Sequence, residues 1–247
     1  MMTDQRQEQA RHVFITGVSQ GLGFGLAHGH LGAHDVVYGI SRRRPNIIAE
    51  YRFFAFESAD LADEVKARAA LRNLLGRVPR LDVVYLNAGV LGAIRDMRDT
   101  RLPDLKYTMD VNLWANKVIL DEIFTLGIEV DQVVAISSGA AINGSRGWNG
   151  YAISKAALNM LMQLYAAEVP KTHFTAFAPG LVDTAMQDYI CGLPDDDRFE
   201  SLKKLKAARG TDHMPEPFDA ARHVMSRISE LKAEYESGSF VDIRNMT

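Results

Sequence analysis

Short apolar runs alternate with longer helical stretches along nearly the whole chain of 247 residues, and this alternation restricts the possible folds more than any other feature. Several runs are apolar on consecutive residues, which is typical of strands buried on both faces. The predicted strands are HVFIT (12–16), DVVYGI (35–40), RFFAF (52–56), LDVVYLN (81–87), QVVAISS (132–138), HFTAFA (173–178) and SFVDI (239–243). The predicted helices lie near residues 21–32, 61–77, 104–126, 151–168 and 217–233. Strands that alternate with helices form right-handed βαβ units, so we expect an α/β fold with a parallel sheet covered on both faces.

No repeat, low-complexity tract or flexible linker divides the chain, which predicts a single domain over residues 1–247. One stretch, residues 183–217, is charged and rich in turn residues, and it interrupts the alternation. Long irregular insertions of this kind are either lids and binding loops or solvated surface excursions. We expect an insertion that borders the substrate, and the surface alternative stays open.

The overall charge and the cysteine content argue against several classes of function. A net charge of −3 gives no electrostatic reason to expect nucleic acid or an anionic membrane surface as a partner. Cys191 is the only cysteine, so no intrachain disulfide can form, and no thiolate metal site is expected. No apolar run approaches the roughly 18 residues of a membrane span, and the polar start lacks the apolar core of a signal peptide. We expect a cytoplasmic protein that acts on a small molecule.

A glycine-rich loop, TGVSQGLG (16–23), joins the first predicted strand to the first predicted helix. Glycines at such a junction permit a tight turn and let backbone N–H groups approach a pyrophosphate at the positive end of the helix. The position between strand and helix favours dinucleotide binding over an ordinary glycine turn. The predicted contacts are Thr16, Gly17, Ser19, Gln20, Gly21, Leu22 and Gly23.

The end of the second predicted strand indicates which dinucleotide would bind. An NAD site needs a carboxylate there for the ribose 2′-hydroxyl, but Asp35 stands at the beginning of the strand. Ser41, Arg42 and Arg43 follow the strand instead, and a hydroxyl with guanidinium groups would hold a 2′-phosphate. We therefore expect NADP(H) rather than NAD(H), with plain decoration of an exposed loop as the alternative.

Two later strand ends are candidates for further cofactor contacts, because open α/β sheets bind ligands at the carboxyl ends of their strands. Asp60, followed by Leu61, is placed to accept a hydrogen bond from an adenine amine. The second candidate is a segment whose side chains are small enough to let a cofactor lie close to the backbone, and it comprises Asn87, Ala88 and Gly89. Either segment alone could equally be an ordinary loop.

Tyr151 is the only tyrosine in the chain that has a lysine, Lys155, four residues later. Positions i and i+4 share a helix face, so the ammonium is predicted to lie beside the phenol. A free tyrosine has a pKa of about 10, and a neighbouring cation lowers that pKa toward the range of useful acid–base catalysis. Ser138, at the end of the preceding predicted strand, completes a candidate catalytic group.

Together these motifs resemble the short-chain dehydrogenase/reductase family over residues 12–243. The matching segments are TGVSQGLG (16–23), NAG (87–89), Asn112 within MDVNLW, Ser138, YAISK (151–155) and PGLVDT (179–184). Ser138 precedes Tyr151 by 13 residues, as is usual in that family. The resemblance implies a Rossmann-like, doubly wound, seven-stranded parallel sheet. Leu86 departs from the family pattern, which often has an asparagine at that position.

The resemblance also implies roles for individual residues. Tyr151 would exchange a proton with the substrate oxygen, and Lys155 would bind the nicotinamide ribose and lower the pKa of Tyr151. Ser138 would hydrogen-bond the substrate oxygen. Asn112 would hold, through its backbone, a water that links Lys155 to solvent. The segment that would fix the nicotinamide carboxamide comprises Pro179, Gly180, Val182 and Thr184.

A narrower likeness, to the sepiapterin reductase and benzil reductase branch, concerns SSGAA (137–141), GWNGYAISKAALNM (147–160), AAEVP (166–170) and FAPGLVDTAMQ (177–187). Members of that branch reduce one ketone of a vicinal dicarbonyl with NADPH. The likeness implies a planar or aromatic substrate packed by Trp148, with Met186 and Tyr189 opposite. Trp148 could instead anchor the core or a loop.

The resulting hypothesis is an NADPH-dependent carbonyl reductase that acts on a ketone or aldehyde, including a benzil- or sepiapterin-like dicarbonyl. One alternative is an alcohol dehydrogenase of the same fold that works oxidatively. The other is a non-catalytic regulator that senses NADP(H). Sensors of that kind usually lose the tyrosine or the lysine, and both are present here.

The helix that starts at Tyr151 is apolar around most of its circumference, which is more than packing on one sheet requires. In the resembled family the corresponding helix commonly pairs with its symmetry mate, which implies a homodimer or homotetramer. Two other features are interpreted as surface. His28, His30 and His34 are taken as a solvent-facing helix side rather than a metal site, and KKLK (203–206) is taken as a solvated helix face.

Overall fold

A computed structural model of the chain describes residues 10–46 and 51–246. In these two segments seven parallel strands form one sheet, in the order β3–β2–β1–β4–β5–β6–β7. The strands are β1 (His12–Thr16), β2 (Val36–Ser41), β3 (Phe54–Ser58), β4 (Arg80–Leu86), β5 (Glu129–Ile136), β6 (His173–Ala178) and β7 (Ser239–Asp242). The predicted doubly wound, seven-stranded parallel sheet is confirmed, with strand boundaries that shift by up to three residues.

Helices cover both faces of the sheet. Within the described segments they are α1 (Gly21–Gly32), α2 (Glu64–Leu75), α3 (Leu102–Met109), α4 (Ala115–Thr125), α5 (Asn149–Glu168), α6 (Ala185–Gly192), α7 (Glu200–Ala208) and α8 (Pro217–Glu234). One core lies under α2, α4 and α5 and includes Phe14, whereas Val13 and Ile15 belong to the core under α1 and α8. Strands that serve two cores are apolar on consecutive residues. None of the helices in the described segments has both the length and the apolar character needed to cross a membrane.

The helix predicted over residues 104–126 is interrupted. A wide π-helical turn, Asp110–Trp114, lies between α3 and α4 and contains the buried Asn112. Turns of this kind occur frequently at functional sites, because they redirect side chains and carbonyl groups out of the regular helix. Period-based prediction does not detect them, since the apolar pattern continues through the turn.

The insertion at residues 183–217 contains two short helices, α6 and α7. Ile190, Phe199 and Leu202 from this insertion form an apolar cluster with Leu91, and the ring of Tyr151 packs against that cluster. The insertion therefore lies over the carboxyl edge of the sheet. On its outer side, Lys203 and Lys206 form ion pairs with aspartates of the insertion, whereas Leu205 packs against the apolar cluster, so only part of the KKLK segment is a solvated helix face.

His30 is buried, so the interpretation of the α1 histidines as a solvent-facing group is wrong for this residue. Its Nδ1 lies 2.7 Å from Asp35 Oδ2, and its Nε2 lies 3.1 Å from the Tyr85 hydroxyl. Asp35 also accepts a hydrogen bond from the backbone N–H of Arg11. A polar group needs such partners when it is buried, and the sequence pattern gave no sign of them. Among the residues described, no three His, Cys, Asp or Glu side chains form a group that could hold a metal ion.

Candidate active site

A cleft of about 270 Å³ lies at the carboxyl edge of the sheet. Its walls come from the segments that follow β1, β2, β3, β4 and β5, together with α5 and the start of α6. Between β1 and β4 the strand order reverses, because β2 and β3 extend to one side and the later strands to the other. Doubly wound sheets bind their ligands at this switch point.

The glycine loop forms the wall of the cleft next to β4. Gly17 has a φ of +76°, and a Cβ there would lie 3.0 Å from both the Ala88 Cα and the Asn87 Nδ2. The hydroxyl of Thr16 accepts hydrogen bonds from the backbone N–H groups of Asn87 and Ala88, both at 2.9 Å. This close approach ties the ends of β1 and β4 together. It also leaves the N-terminus of α1 facing the cleft, where backbone N–H groups favour an anion.

The outer end of the cleft carries Ser41, Arg42 and Arg43. The Ser41 hydroxyl donates to the Arg43 carbonyl at 2.8 Å, and the Arg43 guanidinium donates to Gln20 Oε1 at 2.6 Å. Gln20 therefore holds one of the two arginines in place. Asp60 also lines the cleft, and its carboxylate accepts from the backbone N–H of Ala62.

Tyr151 and Lys155 lie on the first turns of α5 and line the inner end of the cleft. The Lys155 side chain is buried, and its Nζ donates to the Ile136 carbonyl oxygen at 2.6 Å. The same Nζ lies 5.7 Å from the centre of the Tyr151 ring, so the predicted pairing on one helix face is found. An ammonium has three N–H donors, which leaves two for a ligand in the cleft. Desolvation lowers the pKa of Lys155 to about 8.

The pKa of Tyr151 differs in direction from the expectation. Burial raises the pKa of its hydroxyl above the ordinary value, and the interaction with the Ser138 hydroxyl acts in the opposite sense. The Lys155 ammonium lies 5.7 Å from the centre of the Tyr151 ring and donates to the Ile136 carbonyl, and its effect on this pKa does not outweigh burial of the phenol. Desolvation of the phenol therefore exceeds the electrostatic effect of its neighbours.

Asn112 connects the π-turn to the two segments beside it. Its side chain accepts from the Val90 N–H at 2.8 Å and donates to the Val90 carbonyl and the Ser154 hydroxyl, both at 2.9 Å. Ser154 in turn donates to the Tyr151 carbonyl at 2.8 Å, so the turn supports the start of α5. The Asn112 carbonyl accepts from the side chain of Asn116 at 2.8 Å. Because a carbonyl oxygen has two lone pairs, one remains for the water that the family resemblance implies.

A second cavity, of about 630 Å³, is lined by Ser138 and Trp148 together with charged side chains that include Arg146, Arg198 and Lys204. Tyr151 lines the first cavity, and its hydroxyl interacts with that of Ser138. The two cavities therefore meet at this pair of hydroxyl groups. The geometry suits a ligand in each cavity with their reacting atoms close to Tyr151.

Trp148 anchors a loop and also lines a cavity. Its Nε1 donates to the Ser201 hydroxyl of α7 at 2.6 Å, which anchors the insertion, while its ring lines the second cavity 6.0 Å from the ring of Tyr151. Met186 lines the first cavity instead of the second. Tyr189 lines neither cavity and is exposed on α6, because the α6 face that packs inward is the one carrying Met186 and Ile190.

Most of the residues predicted to bind the cofactor line the first cavity. Five of them do not: Thr16, Gly23, Pro179, Gly180 and Val182. Thr16 and Gly23 lie behind the wall that they help to form, and Gly180 lines the second cavity. The residues that sequence reasoning missed are Ala59, Val90, Tyr107, Val111, Ile136 and Ala185. Most of these are neighbours of predicted residues at strand ends, whereas Tyr107 and Val111 enter the cavity from α3 and the π-turn, for which the sequence carried no signal.

Comparison with known proteins agrees with this geometry. The family model described as short chain dehydrogenase matches residues 11–191. A benzil reductase ((S)-benzoin forming) of Bacillus cereus is 28% identical over 249 residues, which cover 94% of this chain and 99% of that protein. The crystal structure of a short chain dehydrogenase/reductase from Saccharomyces cerevisiae superimposes with a TM-score of 0.81 at 22% identity, covering 96% of this chain and 97% of that one.

A further solved neighbour was determined with its cofactor. It is a short chain dehydrogenase from Shigella flexneri complexed with NADP, with a TM-score of 0.74 at 22% identity, covering 95% of this chain and 97% of that one. The glycine wall, the lysine with free donors and the cleft at the switch point fit a dinucleotide in this chain as well. The chain belongs to the short-chain dehydrogenase family and is an oxidoreductase that uses a nicotinamide cofactor on a small-molecule substrate.

Proposed function

We propose that the chain is an NADPH-dependent carbonyl reductase in which Tyr151 gives a proton to the carbonyl oxygen. The observation that carries the proposal is the meeting of two cavities at the hydroxyl groups of Tyr151 and Ser138. The glycine loop and Lys155 in the lining of one cavity suit a dinucleotide, and the lining of the other combines the Trp148 ring with charged side chains that can hold a polar substrate.

The residues of the inner cleft have distinct tasks in this mechanism. A reduced nicotinamide bound in the cleft supplies the hydride that reaches the carbonyl carbon. Ser138 donates a hydrogen bond to the carbonyl oxygen and orients it toward Tyr151. Tyr151 transfers its hydroxyl proton to that oxygen, and the buried charge of Lys155 stabilises the phenolate that remains. Lys155 also offers its two free N–H groups to the ribose.

The direction of the Tyr151 pKa is compatible with the role of a proton donor. Because burial raises the pKa of this hydroxyl, it stays protonated near neutral pH, and a proton donor must be protonated. An alcohol dehydrogenase of the same fold would use the same hydroxyl as its base, so rates in both directions distinguish the two. Tyr151 and Lys155 both line the cleft, which argues against a sensor without turnover.

The preference for NADP(H) is supported by the outer end of the cleft. Arg42 and Arg43 line the cleft beside Ser41, and Asp35 is engaged with His30 at the opposite edge of the sheet. Two guanidinium groups at the end of β2, where an NAD site would place its carboxylate, suit a 2′-phosphate.

The proposed substrate is a planar or aromatic ketone, with a benzil- or sepiapterin-like vicinal dicarbonyl as the leading class. The second cavity is larger than the cofactor cleft and has the Trp148 ring as one wall. The Bacillus cereus relative, which aligns over nearly the whole chain, is a benzil reductase. We also infer a single domain in which residues 183–217 form the outer wall of the substrate cavity.

The experiment that tests the function is NADPH consumption with a panel of benzil, sepiapterin and simple aldehydes. We expect benzil or sepiapterin to be reduced with the highest kcat/KM. Oxidation of benzoin with NADP that exceeds benzil reduction at neutral pH would favour the alcohol dehydrogenase instead. Tight NADPH binding without consumption on any carbonyl would favour the sensor.

A further inference from the structure

Three segments meet at the outer rim of the second cavity through one carboxylate. Asp96, in the loop after β4, accepts from Arg146 at 2.5 and 2.8 Å and from Arg198 at 3.1 Å. Arg146 belongs to the loop before α5, and Arg198 belongs to the insertion. We call these three residues the Asp96 triad. The Asp96 side chain is only 16% exposed, whereas those of the two arginines are about half exposed.

The carboxylate separates two like charges. The positive charge of Arg198 opposes that of Arg146, and Asp96 stabilises both. Arg198 also binds Asp196 inside the insertion, so its charge stays with the insertion when Asp96 is neutral. Loss of the Asp96 charge therefore converts an attractive contact between the insertion and the loop before α5 into a repulsive one.

The residues that follow the two arginines carry the contacts to the proton donor. Gly147 has a φ of +96°, and a Cβ there would lie 2.8 Å from the ring of Phe199. Trp148 donates from its Nε1 to the Ser201 hydroxyl at 2.6 Å. Trp148, Phe199 and Tyr151 belong to the same apolar cluster. These contacts fix the position of the insertion against Tyr151. They lie directly next to the Asp96 triad, both in the sequence and in space.

We propose that Asp96 is a positioning residue, which holds the insertion against the start of α5 and thereby shapes the carbonyl-binding cavity. This inference rests on the proposed function, because it assigns the carbonyl to the second cavity. Asp96 lines neither cavity, but both of its arginines line the second one, so its effect reaches the substrate through Arg146, Arg198 and the neighbouring Trp148. An exposed ion pair contributes little by itself, but a misplaced cavity wall weakens substrate binding.

The kinetic test is Asp96→Asn, with Asp195→Asn as the matched control. Asp195 pairs with Lys206 within the insertion and is exposed, so its loss does not release the insertion from the loop before α5. For Asp96→Asn we expect the KM for the carbonyl to rise about fivefold, with kcat and NADPH affinity nearly unchanged. Added salt of about 0.5 M should raise the KM of the unmodified protein toward that of the variant, because salt screens the triad. The control should retain the original KM.

A spectroscopic test separates positioning from activity. The chain has two tryptophans, so Trp114→Phe leaves Trp148 as the only indole. In that background, Asp96→Asn should increase the quenching of Trp148 fluorescence by acrylamide about twofold, because the insertion no longer covers the indole. Asp195→Asn should leave quenching unchanged.

The outcomes separate this inference from the proposed function. Increased quenching in a protein that reduces no carbonyl would support the positioning role and contradict the reductase. Unchanged quenching and an unchanged KM in a folded Asp96→Asn protein would overturn the positioning role and leave the reductase standing. If Asp96→Asn does not fold, Arg198→Gln removes one arm of the triad and must raise quenching. Because Arg198 itself lines the second cavity, quenching rather than KM is decisive for this variant, and a folded Arg198→Gln protein with unchanged quenching would also overturn the positioning role.

Discussion

Lys155 is a cation held in a nearly water-free position by one carbonyl oxygen. Its side chain is 4% exposed, and the oxygen of Ile136 is its hydrogen-bond acceptor. Burial of a charge costs free energy, which appears here as the lowered pKa of about 8. The buried charge therefore lowers the free energy of unfolding, and this effect can be measured.

The stability of the protein should therefore depend on pH in a way that Lys155→Met removes. Between about pH 8 and pH 10.5 the unfolded lysine binds a proton that the folded one has lost, so the free energy of unfolding rises with pH over this window. Below pH 8 the cost of the buried charge is fully present. We expect the stability advantage of Lys155→Met over the unmodified protein to decrease by about 2–3 kcal/mol from pH 7 to pH 10.5.

Urea unfolding of both proteins across this pH range provides the measurement. Lys203→Met is the control, because Lys203 is exposed and paired with Asp197. The difference in free energy of unfolding between Lys203→Met and the unmodified protein should change little with pH. Parallel pH profiles for Lys155→Met and the unmodified protein would contradict a lowered pKa at Lys155.

For single residues, the sequence predicted that Tyr151 and Lys155 lie together, but it did not predict the direction of the Tyr151 pKa shift. The spacing of Tyr151 and Lys155 places them together on any helix, so their proximity follows from local geometry alone. The direction of the Tyr151 pKa depends on how much water the insertion excludes, and that is a property of distant segments. Tyr189 was predicted to contact the substrate because the sequence does not show which face of α6 packs inward.

The end of β2 carries the groups on which the proposed preference for NADP(H) rests. Ser41 ends the strand, and Arg42 and Arg43 follow it into the cleft, with Arg43 held by Gln20. The loop is thus organised around the Arg43 guanidinium, which the uncharged Gln20 holds in place.

Arg42→Ala should weaken NADPH binding about tenfold and leave NADH binding unchanged, because only NADPH carries the 2′-phosphate that a charged hydrogen bond would reach. Arg44→Ala is the matched control, since Arg44 is exposed in the same loop but does not line the cleft. Fluorescence titration of each variant with both cofactors gives the dissociation constants. Equal weakening of NADPH and NADH by Arg42→Ala would exclude the phosphate contact.

Strands and regular helices were predictable because their apolar periods are short and local. The π-turn at Asp110–Trp114 was not, since its buried Asn112 side chain binds Val90 and Ser154 from two other segments. Buried His30 was missed for a similar reason, because its partners are Tyr85 on β4 and Asp35 just before β2. In both places hydrogen bonds between separate elements satisfy the buried polar group.

At the scale of the whole molecule, α5 leaves an apolar stripe uncovered. Ile153, Met160 and Leu164 are spaced by seven and four residues, so they lie on one helix face, and each is about half exposed. Trp114, at the end of the π-turn, adds a further exposed ring. A surface of this kind suits a second copy of the chain, and we propose a homodimer or homotetramer that buries it.

Leu164→Glu should shift the oligomer toward monomer by introducing a charge into the proposed interface. Val65→Glu is the control, because Val65 is exposed on α2, away from the stripe. Multi-angle light scattering at micromolar concentration measures the mass of each protein. A monomeric mass for the unmodified chain would contradict the proposed oligomer, and an oligomer that Leu164→Glu leaves intact would contradict the interface.

The central claim is that the hydroxyl of Tyr151 protonates a carbonyl held between the two cavities. Its most direct test compares NADPH consumption on benzil by Tyr151→Phe and by Tyr165→Phe, which removes a hydroxyl from the same helix at a position bonded to Asp121. We expect Tyr151→Phe to lower kcat by about a thousandfold while NADPH still binds, and Tyr165→Phe to keep most of the activity. A Tyr151→Phe protein that reduces benzil at the unmodified rate would contradict the account.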